Sequence, residues 1–183
     1  MSLNVQNVIE DCDAGLAKEI KADVDYVRIK TGIDVTRGQV KSVGEMGEAK
    51  GTCVIETKEF GFRADNFAAN NAEHYIQERG QTGSFRHVAR HEAEHAKGNR
   101  LEGTTELVAS KELNVNPVPA YREKVRAAEA IVAILGFQRT METARQEGAE
   151  VLLFSAIVQE QVANNVDFFK AAEQASDLVK AAA

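Results

Sequence analysis

Both prolines of this 183-residue chain, Pro117 and Pro119, stand two positions apart. A proline removes a backbone donor and fixes φ, so residues 114–119 are the clearest break in the chain. The chain therefore reads as two parts, residues 1–119 and residues 120–183. In the second part Val125, Ile131, Val132 and Leu135, then residues 151–158, then Val166, Phe168, Phe169 and Leu178 follow a helical pattern, interrupted at Gly136 and at Asn164-Asn165. Its acids, Glu123, Glu129, Glu142, Glu147 and Glu150, lie among Arg, Lys and Gln at the spacing of a solvated face. Its apolar stripes, Ile131-Ile134-Leu135 and Leu152-Leu153-Ala156-Ile157, need cover. They pack on the same core as the first part, or against a second copy of the chain in a homo-oligomer.

The first part has a different texture. Apolar residues from Val8 to Ile29 recur at helical spacing and predict a helix over residues 5–30 with a break near Gly15. Six glycines between Gly32 and Gly61 then separate Val-, Ile-, Thr- and Phe-bearing pieces, the pattern of short strands joined by turns, with residues 52–62 the best hairpin. A helix over residues 65–78 follows and stops at Gly80. Ser84 is an N-cap for a helix over residues 85–97, and Gly98 supplies its left-handed C-terminal residue. Asn99 and Glu102 have capping-box spacing for a further helix over residues 100–113. The expected fold class is α+β: a small sheet, then the helix over residues 85–97, a glutamate-bearing helix, and a helical C-terminal part.

With 22 Lys and Arg scattered among 28 Asp and Glu, and a net charge of -6, the chain has no basic stripe and is not expected to bind nucleic acid. It has no apolar run long enough for a membrane span. Glu10, Asp11 and Asp13 interrupt its start where an export signal would be apolar. Two cysteines, Cys12 and Cys53, read as reduced thiols in a cytoplasmic protein. No nucleophile elbow, P-loop, dinucleotide fingerprint or C-x-x-C pair is present.

One segment carries chemistry. His91-Glu92-Ala93-Glu94-His95 matches H-E-x-x-H. On a helix, residues four apart lie one above the other, so both imidazoles reach one metal ion while Glu92 sits to its side as a general base. The competing reading is a solvated helix face, which Arg90, Glu94 and Lys97 would suit. His87 extends the histidine stripe by one turn, as a hydrogen-bonding neighbour of the site or as an exposed first-turn histidine. A turn at Gly98-Asn99 would set His95 opposite Glu102 and His91 opposite Glu106, one turn apart on one face.

This arrangement resembles the zincin metallopeptidases over residues 51–113. Leu101 occupies the position of the third metzincin histidine, whereas Leu101-Glu102-Gly103-Thr104-Thr105-Glu106-Leu107 resembles the L-x-E-G-(F/L)-(A/T)-E-(Y/F) segment of aminopeptidase-type gluzincins. The resemblance implies a zinc peptidase with His91, His95 and Glu102 as ligands, Glu106 as the alternative third ligand, Glu92 as base, and a peptide or protein substrate extended along the strand before the helix. Glu123 and Glu129 match the longer spacing usual in gluzincins. His74, Tyr75 and Tyr121 are residue types that stabilise an oxyanion in such enzymes, and Cys12 or Cys53 could serve as a reversible zinc ligand. Two readings stand beside the enzyme: a closed zinc site without catalysis, and a helical scaffold whose partner surface is residues 120–183.

Overall fold

A computed structural model describes residues 3–183. The chain is mixed α+β, with ten α-helices and one three-stranded sheet among the described residues. None of these helices is long and apolar enough to cross a membrane.

The N-terminal helical stretch breaks earlier than its periodicity suggests. Helix α1 (Val5–Asp11) opens with a capping box in which Asn4 and Asn7 exchange side-chain bonds to each other's N–H, at 2.9 and 3.1 Å. Helix α2 (Ala14–Thr31) starts afresh because the Asp13 carboxylate accepts from the N–H groups of Gly15 and Leu16. The interruption is thus at Cys12-Asp13, and Gly15 lies inside the first turn of α2. Gly32, at φ 75°, ends α2 in the left-handed conformation.

Strands β1 (Gln39–Lys41), β2 (Gly51–Val54) and β3 (Glu59–Arg63) pair in the order β1-β3-β2, with helix α3 (Val43–Met46) between β1 and β2. β1 runs parallel to β3 with Val40 opposite Phe62, and β2 runs antiparallel to it with Cys53 opposite Phe60. The hairpin expected over residues 52–62 is therefore present, and β2 is an edge strand of this sheet. Phe60 and Phe62 bury one face of the sheet. The helix expected over residues 65–78 is instead a 3-10 turn (Ala64–Phe67) followed by α4 (Ala72–Arg79), because Asn71 caps α4 by accepting from the His74 N–H at 2.9 Å.

Helix α5 (Phe85–Ala96) has the expected ends: Ser84 accepts from the His87 N–H, and Gly98 takes φ 98°. Helix α6 (Glu102–Leu113) begins later than a capping box at Asn99 requires. The Asn99 carboxamide oxygen accepts instead from the Leu101 N–H and the Thr104 hydroxyl, at 3.2 and 2.8 Å. Beyond the prolines follow α7 (Arg122–Leu135), α8 (Phe137–Ala144), α9 (Ala149–Ala163) and α10 (Phe168–Ala182).

The chain forms two compact units. One holds the residues up to Lys97 with Ala109–Asn116, and the other holds Gly98–Val108 with Pro117–Ala183. The core of the first gathers Val5, Ile20, Val27, Phe62, Phe85, Ala89 and Ala93. In the second, Ile131 and Leu135 of α7 and Leu153 and Ile157 of α9 bury against one another, against Leu101, and against the small face of α10 at Ala171 and Ala175. Small residues permit this close packing. A Cβ on Gly103 of α6 would lie 2.2 Å from the Lys124 carbonyl oxygen and 3.0 Å from that of Ala182, both backbone atoms that cannot swing aside. Alanine has the better helix propensity by about 1 kcal/mol. Gly103→Ala is nonetheless expected to destabilise the protein by about 1–3 kcal/mol through overpacking. Urea unfolding would measure it, and an unchanged midpoint would mean that α6 and α7 can separate freely.

Candidate metal centre

Helix α5 is not a surface helix. Of the residues from Phe85 to Ala96, all but Arg86 are buried, including Arg90 (1% exposed) and Glu94 (0%). This removes the solvated-face reading. Charges so deep must be paired. The Arg90 guanidinium donates to both carboxylate oxygens of Glu112 on α6, at 2.7 and 3.1 Å, and to Glu94 one turn along α5 at 3.1 Å. Burial works against the charge on Arg90, but the Glu112 carboxylate overcomes it and holds the guanidinium above its usual range. A second buried group, Asp23 of α2, meets Arg86 at 2.6 Å and Arg79 at 2.7 Å and accepts from the Tyr75 hydroxyl at 2.8 Å, fixing α5 against α2 and α4.

Held in this way, α5 presents its histidines as a pair. His91 and His95 bring their Nε2 atoms to 3.2 Å, with ring planes at 71°. Two nitrogens each about 2.0–2.1 Å from one tetrahedral zinc ion stand roughly 3.3 Å apart. The donor set and its spacing therefore fit zinc. Glu102, the expected third ligand, opens α6 and is half-buried. Glu106 is fully buried, and its Oε1 accepts from the Val118 N–H at 2.7 Å, securing the segment between the two prolines. Glu123 and Glu129 are exposed on α7.

Glu92 is 7% exposed and lies against β2. A Cβ on Gly51 would meet Glu92 Oε1 at 2.7 Å and Val88 Cγ1 at 2.5 Å, so the bare strand backbone is what lets Glu92 sit there. Cys53, two residues along β2 on the same side, has its thiol pushed up to about 12, chiefly by burial and next by the Glu92 carboxylate. It stays protonated at neutral pH. Cys12 and Cys53 are both free thiols. His87 is buried rather than exposed, and its Nδ1 accepts from the Gly83 N–H at 3.0 Å.

Two of the oxyanion candidates, His74 and Tyr75, are engaged elsewhere. His74 is half exposed and faces Glu78 at 3.3 Å, and the Tyr75 hydroxyl is committed to Asp23. Tyr121 is half-buried, with the Lys124 ammonium 5.9 Å from its ring. Sequence reasoning missed Arg90, Glu94 and Glu112 as a unit. Their one local signal was the Arg-to-Glu spacing of one helical turn on a helix otherwise rich in buried types. No protein-family model, no curated protein and no solved structure matches the chain.

Proposed function

We propose that the chain is a zinc-dependent hydrolase of peptides or unfolded proteins, with His91, His95 and Glu102 as metal ligands and Glu92 as the general base. The carrying observation is the 3.2 Å convergence of the two imidazole Nε2 atoms on a buried helix. Bound zinc would supply a lowered water pKa and polarisation of the scissile carbonyl. Glu92, angled off the histidine stripe towards β2, accepts the proton of the attacking water and passes it to the leaving amine. The outer edge of β2 offers backbone groups to an extended peptide. His91 and His95 would each offer the ion an imidazole nitrogen.

The depth of the site favours one second reading, a closed zinc centre without catalysis. His91 and His95 are only 6% and 8% exposed. An enzyme needs an open coordination position; a structural site fills all four with protein.

Metal analysis of protein purified without a histidine tag tests the shared premise. About one zinc per chain is expected, and metal-free protein from a zinc-replete preparation would overturn both readings. Competitive chelator titration then addresses the third ligand. Glu102→Ala is expected to weaken zinc binding strongly. Glu106→Ala should weaken it less and act mainly on stability, because its oxygen secures Val118. The reverse order would move the ligand to Glu106.

A further inference from the structure

Within the N-terminal unit a polar cavity of about 250 Å³ opens at the start of α5, its walls including Lys50, Asn66, Arg79, Gly83, Ser84 and Phe85. Sites for drug-sized molecules run to about 300–1,000 Å³, so this one suits a small ligand. The acids that line it are already paired. Asp23 holds Arg79 and Arg86, Asp65 accepts two bonds from Arg63, and Glu78 faces His74. The Ser84 hydroxyl donates to the Arg79 carbonyl, and the Thr82 hydroxyl to that of Asn116.

Two groups stand apart, of opposite kind. Asn66, on the 3-10 turn, is 7% exposed, and its Nδ2 donates to the Lys50 carbonyl at 2.8 Å. Its buried Oδ1 accepts from no donor among the described residues. Turning the carboxamide over would set Oδ1 against the Lys50 carbonyl oxygen, so the acceptor is fixed where it stands. A buried acceptor without a donor is costly, and in folded proteins such groups nearly always have one. The Lys50 ammonium is the other pole. Among the described residues it bonds only the Gly83 carbonyl, at 3.3 Å. Beside it α5 begins. Ser84 caps the His87 N–H, which leaves the N–H groups of Phe85 and Arg86 without a partner inside the helix. An ammonium beside a helix N-terminus favours a carboxylate. Lys50 ties the two poles together, since its carbonyl holds Asn66 while its ammonium stands at Gly83.

We propose that this cavity binds a small zwitterion, a free α-amino acid, with the carboxylate at Lys50 and the first turn of α5 and the ammonium at Asn66 Oδ1. Zinc has no part in it.

The test is calorimetric titration of the full chain with each of the common L-amino acids. At least one is expected to bind. Its analogues lacking the amino or the carboxylate group should bind at least about tenfold more weakly, because each loses a charge-assisted bond. Lys50→Met should cost the best-binding amino acid a similar factor, and Lys50 is exposed, so this variant is expected to fold. Asn66→Ala removes the acceptor and should do the same, with circular dichroism to establish its fold. Amino acids also chelate zinc, so the titration is repeated on chelated protein, where the affinity should be unchanged. A chain that binds no amino acid overturns the site. So does an amine-free analogue, or inorganic phosphate, that binds as tightly as the amino acid, for the cavity would then be an anion site only. Parent-like affinity in Lys50→Met, or affinity lost on chelation with the fold intact, would place the amino acid elsewhere and overturn the assignment equally.

Discussion

Glu92→Gln is expected to keep its zinc and to lower hydrolysis of an unfolded protein substrate by about a hundredfold to ten-thousandfold. That range is roughly 3–5 kcal/mol of transition-state stabilisation. The substitution isolates the proton-transfer role because it changes little else. Glu92 is 7% exposed and lies against the bare backbone at Gly51, so an amide of the same shape fills the same space. It is not one of the proposed ligands, so the ligand set stays whole. An amide cannot accept a proton from water. Zinc content and initial rate measured on the same preparation separate the outcomes. Metal retained with the rate lost is the expected result. A variant that cleaves as fast as the parent would mean that Glu92 is not the base. A parent that holds zinc but cleaves nothing would favour the closed, non-catalytic centre.

How much of this was legible in the sequence depended on how local the governing interaction is. The ends of α5 could be read because Ser84 and Gly98 act within a few residues of themselves. The β2–β3 hairpin could be read because alternating apolar residues and turn residues sit side by side. The α1–α2 break was placed two residues late because glycine is the louder signal, whereas the Asp13 carboxylate starts the new helix. The Asn99 capping box failed for a related reason: the Asn99 side chain has the Leu101 N–H and the Thr104 hydroxyl within reach. The competing reading of α5, a solvated face, is the one that burial removes. Arg90, Glu94 and Lys97 look like a wet helix face when only α5 is considered. The carboxylate that makes Arg90 a buried residue is Glu112, more than twenty positions away, and no spacing rule within one helix can point to it.

Metal removal should produce the largest change in stability. A ligand that binds only the folded chain stabilises it by RT ln(1 + [L]/Kd), about 4 kcal/mol when free zinc is a thousandfold above Kd. For a protein of this size that corresponds to roughly 8–16 °C in Tm. Chelation of the parent is therefore expected to lower Tm by about that amount, and zinc should restore it. His91→Ala and His95→Ala each remove one of two nitrogens 3.2 Å apart, which the remaining imidazole cannot replace. Both variants should also melt lower without metal, since truncating a buried side chain leaves a cavity. The diagnostic quantity is consequently the response to zinc rather than the melting temperature itself. Parent protein should shift on adding zinc, and the two variants should not. His74→Ala is the control: it is half exposed on α4 and paired with Glu78, so its zinc response should equal the parent's. A parent insensitive to both chelator and zinc, or a His95→Ala variant that responds as the parent does, would leave the histidine pair as a proton-sharing contact in the core and remove the basis for a metal centre on α5.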